Sequence, residues 1–165
     1  MANMEDLAFK ALTAIKGGGP TESKLKQLAE LKAEIKHRHC PESAVAPLFD
    51  VVRASISNPV LTTAGFSILV HLMKRLQVQG NNSLLQIQGI KTYPCLLERL
   101  ADQREPARNR AIQALTEFHA ISAPDVEQFV RDKVLTCRSP KAKESGMQWI
   151  SIVSYHTMDV PNFAN

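Results

Sequence analysis

Asp102-Gln103-Arg104-Glu105-Pro106-Ala107-Arg108-Asn109-Arg110-Ala111 reads as a turn that enters a helix, with two alanines on the helix's apolar face. Two other stretches lie over it residue by residue, one beginning at Asn58-Pro59 and the other at Ser139-Pro140. Leu61, Ala107 and Ala142 correspond, followed by Gly65, Ala111 and Gly146. Next come Ile68, Ala114 and Trp149, then Leu69, Leu115 and Ile150, then Leu72, Phe118 and Val153. The spacing i, i+4, i+7, i+8, i+11 is one face of an α-helix. Glycine or alanine at the second position lets two helices approach closely, so its recurrence predicts the same close contact in each copy.

The copies are offset by 46 and then 35 residues, which brackets the period of HEAT and armadillo repeats. The expected fold is therefore all-α, an α-α superhelix of about four HEAT-like helical hairpins. With 165 residues, 44% of them hydrophobic, the chain can bury a core and is read as one domain over 1–157, with 158–165 as a frayed tail. Aromatic content is 5%, low for a β-sandwich and ordinary for stacked helices filled by Leu, Ile, Val and Ala. Alternating β-branched runs flanked by hairpin turns do not occur.

Local signals place the helices. The first is expected over about 4–16 and is stopped by Gly17-Gly18-Gly19-Pro20. A second opens with Thr21 or Ser23 as cap and carries Leu25, Leu28, Leu31 and Ile35. Pro41-Glu42 starts a third, with Val45, Leu48, Phe49, Val52 and Ile56 inward. Asn58 is expected to cap the fourth, with Pro59 at its first position, and that helix runs to about Val78. After a loop at Gly80-Asn81-Asn82-Ser83, the segment from Leu84 to Ala101 contains Pro94, which predicts a kink or a late start. A helix follows from the Asp102 turn, then one carrying Val126, Phe129, Val130, Val134 and Leu135, then a last one from Ser139-Pro140 to about Tyr155.

No apolar run reaches the roughly 18 residues of a membrane span, and no signal peptide opens the chain, so an intracellular, soluble protein is expected. Cys40, Cys95 and Cys137 are odd in number and far apart, which suits reduced thiols. A net charge of +4 favours acidic partners without choosing among nucleic acid, protein and anionic lipid. His37-Arg38-His39-Cys40 has metal-ligand side chains but no second spaced pair, and is read as a polar helix end. Gly17-Gly18-Gly19 has neither a preceding strand nor a Gly-Lys-Ser/Thr ending, and His71 and His119 sit on helices without a nucleophile elbow. The expectation is therefore no enzyme, no catalytic residue, no cofactor and no metal.

Charge gives the better functional signal. Arg104 and Arg108 stand at the start of one helix and Lys141 and Lys143 at the start of another, where helix ends prefer acidic groups. In a stacked array such turns share an edge, so Arg104, Arg108, Arg110, Arg138, Lys141 and Lys143 are expected to form a basic ridge facing an acidic partner. Few interleaved aromatics and a modest charge excess argue against nucleic acid, and nothing marks a membrane surface.

The chain resembles a known family on several stretches: Leu31-Lys32-Ala33-Glu34-Ile35-Lys36, Ala64-Gly65-Phe66-Ser67-Ile68-Leu69, and His71-Leu72-Met73-Lys74-Arg75-Leu76. Tyr93-Pro94-Cys95-Leu96-Leu97-Glu98-Arg99-Leu100-Ala101-Asp102 and Ser139-Pro140-Lys141-Ala142-Lys143-Glu144 complete the set. Over about residues 4–155 it is similar to the N-terminal TOG domain of fungal CLASP proteins, the cytoplasmic linker-associated regulators of microtubules. The resemblance implies a non-catalytic interaction domain acting in microtubule dynamics and mitotic spindle assembly, in the cytoplasm, cytoskeleton, spindle and nucleus. It implies tubulin or microtubules as partner through the turns within hairpins, here Gly17 to Thr21, Ser57 to Val60, Asp102 to Arg104 and Arg138 to Lys141. The resulting candidate edge is Asn58, Arg104, Arg108, Arg138, Lys141 and Lys143. The alternative is a scaffold binding a kinetochore or spindle component without tubulin. The chain departs from the family pattern in offering glycine where the first turn commonly presents a tryptophan, and about four hairpins where six are usual.

Overall fold

The computed structural model describes residues 3–158, which form eight α-helices and no strand. They fall into two compact units that divide between Cys95 and Leu96, and the fold is all-α and HEAT/TOG-like. The sequence-expected tail from 159 onward lies outside the described residues, whereas Met158 still belongs to the last helix.

In the first unit, α1 (Met4–Lys16) begins where Asn3 accepts the Asp6 N–H at 2.8 Å, with Glu5 and Asp6 favourably placed in its first turn. It buries Met4, Ala8, Ala11 and Ile15. The next helix, α2 (Thr21–His37), buries Leu28, Leu31 and Ile35. Neither Thr21 nor Ser23 caps it; Pro20 occupies the cap position and makes no side-chain hydrogen bond. Helix α3 (Glu42–Ile56) is buried on more than one face because α1 and α4 both pack on it. Helix α4 (Thr62–Val78) packs on α2 and α3, so α1 with α3 and α2 with α4 make two layers around an aliphatic core.

The start of α4 corrects the sequence reading. Asn58 is not its cap and Pro59 is not its first residue, since Ser57–Leu61 form a turn and the helix starts three residues after Pro59, at Thr62. Asn58 Oδ1 accepts the Val60 N–H at 3.0 Å instead, and the buried Thr62 hydroxyl is shared between the carbonyls of Ile56 (3.0 Å) and Asn58 (2.8 Å). That hydroxyl answers orphan carbonyls at the end of α3 and leaves no reason for an earlier helix start.

Gly65 is where α3 and α4 come closest. A β-carbon there would lie 2.8 Å from Ser55 Cβ and 2.9 Å from the Ile56 backbone nitrogen. At the corresponding Gly146 it would lie 2.7 Å from Val134 Cγ1, and Ala111 is fully buried. The register derived from the repeats holds in full for the first two copies, whose five positions are all buried. In the third, Ala142, Gly146 and Trp149 are buried while Ile150 and Val153 are half-exposed.

Helix α5 (Asn82–Leu100) is helical from its first residues through Pro94, so the late start expected for it does not occur. The second unit continues with α6 (Glu105–Ile121), α7 (Ala123–Phe129) and α8 (Pro140–Met158), α6 packing against both of the others. The single helix expected around Val126 to Leu135 instead widens after Phe129 into a π turn, Val130–Val134, closed by Leu135 N–H to Val130 O at 2.9 Å.

Gly65→Ala should destabilise the protein by about 1–3 kcal/mol, because the receiving atoms include backbone. Gly18→Ala, with no heavy atom within 4 Å of the added carbon, should stay within about 0.5 kcal/mol of the native chain. Urea unfolding of the two variants checks both.

Candidate partner-binding turns

The turns expected to form the binding edge are built in different ways. In the first, Gly17 N–H closes α1 onto Thr13 O (3.0 Å), and Lys24 Nζ reaches back to Gly17 O at 2.9 Å. Gly18 and Gly19 face open space. In the second, Asn58 is half-buried and committed to the turn, while Val60 is 63% exposed beside it. The sequence reading included Val60 in this turn but gave it no role; its position directly after Pro59 was the available signal.

The third turn is organised by Asp102, which the sequence places at the turn without indicating a role for its side chain. Its Oδ1 accepts the Arg104 backbone N–H at 2.8 Å and Arg104 Nε at 3.1 Å, and its Oδ2 takes Arg104 Nη2 at 3.0 Å. Arg99 adds an ion pair at 3.3 Å. Hydrogen bonding from the Arg104 side chain, with smaller help from its backbone N–H and the charge of Arg99, holds the Asp102 carboxyl down at about 2 against the opposing effect of burial. Arg108 Nη1 meanwhile donates to the carbonyls of Asp102 (2.7 Å) and Gln103 (2.9 Å). Arg104 and Arg108 are thus fastened to their own turn.

In the fourth turn Ser139, where the sequence starts the last helix, caps it: its Oγ accepts the Ala142 N–H at 3.1 Å. Arg138 and Lys143 are exposed and Lys141 is half-exposed, and none of the three is in an ion pair among the described residues. The buried Ser145 hydroxyl donates to Leu100 O at 2.9 Å, which sets the beginning of α8 against the end of α5, where the Asp102 turn starts. Within the second unit, then, the Asp102 turn and the start of α8 are brought together. Arg110 is exposed one turn farther along α6, and Asn58 belongs to the other unit.

The remaining chemical candidates have ordinary settings. Cys40 is buried, which pushes its thiol up to about 11, while His37 and His39 are exposed. Among the described residues there is no group of three or more metal-ligating side chains, no disulfide, and no helix long and apolar enough to cross a membrane.

The depressed carboxyl of Asp102 fixes a pH dependence. Its ionised form favours the fold, so its contribution is complete above the ordinary value of 3.8 and is lost as pH falls through about 2. Asp102→Asn should cost about 1 kcal/mol at neutral pH, and the gap from the native chain should close over that acid window in urea titrations.

Residues 21–162 match the family described as CLASP N terminal. The chain is 39% identical over 151 residues to Protein STU1 of Coccidioides immitis, covering 90% of this chain and 12% of that protein. To Protein stu1 of Aspergillus fumigatus it is 36% identical over 154 residues, covering 92% and 12%, and to Protein STU1 of Gibberella zeae 33% over 140 residues, covering 84% and 12%. The chain thus spans about an eighth of the length of these curated relatives. No solved structure matches it. A helical chain whose recurrent close crossings set its turns, and of which all but the first 20 and last three residues match one family, belongs to the CLASP N-terminal family.

Proposed function

We propose that this domain is a non-catalytic interaction module of a CLASP-like regulator of microtubules, and that it contacts tubulin through the turns within its hairpins. The observation that carries the reading is the start of α8, where Arg138, Lys141 and Lys143 stand without ion pairs among the described residues, beside the Asp102 turn. An acidic partner such as tubulin matches that charge, which speeds encounter and sets orientation. Arg104 and Arg108 contribute mainly by holding the neighbouring turn in place. The whole protein's role in spindle assembly and its cytoskeletal location follow from the same reading.

One observation favours a second reading, a kinetochore or spindle component in place of tubulin. The first turn is bare at Gly18 and Gly19, so it offers no bulky side chain to bury, and buried aromatic anchors carry much of the energy of many interfaces.

Two measurements separate these readings. Lys141→Glu with Lys143→Glu should weaken binding to soluble tubulin about tenfold in low-salt fluorescence anisotropy, while leaving the thermal melt unchanged. An unchanged affinity would set aside the tubulin reading. Gly18→Trp, which the open space accommodates, should strengthen tubulin binding several-fold if the first turn lies in the interface. No gain would take that turn out of the contact.

A further inference from the structure

The C-terminal halves of α2 and α4 border an open depression of ≈ 260 Å³, lined by Ile35, Lys36, His71, Lys74, Arg75 and Val78. Lys36 lies fifteen residues into α2 and Arg75 thirteen into α4, so the depression is about 20 Å along these helices from the hairpin turns. It is therefore a surface separate from the candidate edge.

Its sequence is unusual for an idle surface. Lys32 and Lys36 stand at i and i+4 on α2, an arrangement that costs an isolated helix a few tenths of a kcal/mol. On α4, His71, Lys74, Arg75 and Val78 follow at i, i+3, i+4 and i+7, which is one face. No carboxylate lines the depression, and Lys32, Lys36 and Lys74 form no ion pair among the described residues. Burial first, and then the charges of Lys32, Lys36 and Lys74, hold His71 below the ordinary histidine range, so these cations act on a common point. The preference of helix C-termini for cations covers only the last turn and does not reach Lys32 or His71.

Hydrogen bonds frame these charges. Arg75 donates to Ile35 O at 3.0 Å and Lys36 O at 2.6 Å, and Gln79 brackets Cys40 by accepting its N–H at 2.8 Å and donating to its carbonyl at 2.9 Å. The ends of α2 and α4 are thereby tied together. Val78 is 81% exposed at the border, offering apolar surface beside the cations.

We propose that this depression is the docking site for an acidic peptide segment of a partner protein, its carboxylates set against Lys32, Lys36 and Lys74 and one bulky apolar side chain against Val78. The inference does not rest on the tubulin reading, which concerns the turns. Protein is favoured over nucleic acid and lipid because Lys36, Lys74 and Arg75 share a small concavity with the apolar Ile35 and Val78. A phosphate backbone asks for a longer track, and a membrane for a broader apolar face.

The test uses the full chain and a fluorescein-labelled peptide of glutamates around one leucine, followed by anisotropy at low and near-physiological salt. Saturable binding is expected, weakened about tenfold by Lys36→Glu with Lys74→Glu, several-fold by Val78→Ser, and not at all by Lys141→Glu with Lys143→Glu. Thermal melts confirm that each variant remains folded. Absence of saturable binding would overturn the proposal, as would equal loss in the α8 variant, which would mean attraction to net charge alone. Tighter capture of a single-stranded oligonucleotide or of phosphatidylserine vesicles, abolished by the same Lys36 and Lys74 changes, would reassign the surface and overturn the peptide occupant.

Discussion

The close crossing of α3 and α4 at Gly65 is the contact on which the first unit depends. With the missing β-carbon replaced by Ser55 and the Ile56 backbone, the start of α4 is laid directly on the end of α3. The chain then has to reverse within Ser57–Leu61, and the Thr62 hydroxyl is carried to the carbonyls that α3 leaves open. Gly146 repeats the condition in the second unit against Val134, the last residue of the π turn. Side chains of Val134 and Leu135, at the end of that turn, form the surface that receives the glycine, so the bulge and the crossing meet there.

Once the crossings fix where helices end, their exposed carbonyls need donors, and this chain supplies them with long side chains. Lys24 serves the end of α1, Arg75 and Gln79 the end of α2 and the segment after it, and Arg108 the carbonyls before α6. A hydrogen bond of this kind contributes on the order of 1 kcal/mol, and more where the donor is charged. Cations that look surplus in sequence are thus divided between structural and available ones. Only geometry separates the two groups.

That division explains what the sequence made legible. Helix boundaries at Gly17, Pro41, Val78 and Ser139 could be read because glycine, proline and a capping serine act on the local backbone. The apolar register could be read because a close crossing demands a small residue whatever surrounds it. The π turn escaped notice, since Val126, Phe129, Val130 and Val134 satisfy an α spacing as well as the wider one. The later start of α4 was also hidden: Asn-Pro is an equally good helix entry and turn, and the choice fell to a Thr62 hydrogen bond across six residues. At the candidate edge, the positions of Arg104 and Arg108 were legible but their commitments were not. Asp102 lies two residues from Arg104, a spacing that brings side chains together only if the backbone turns as it does there.

Pairing within the chain decides which basic surface is the stronger electrostatic feature. Asp102 stays ionised beside Arg99 and Arg104 over nearly the whole accessible pH range, so the most arginine-rich stretch of the sequence carries its own counter-charge. What remains near it for a partner is the start of α8. On α2 and α4 the lysines are spread along the helices, and no carboxylate enters their depression. Like charges without ion pairs beside an apolar side chain cost the free protein a little and lose that cost when a carboxylate arrives. Charge without a counter-charge close by, rather than the density of basic residues along the chain, therefore decides where the field of this fold is strongest.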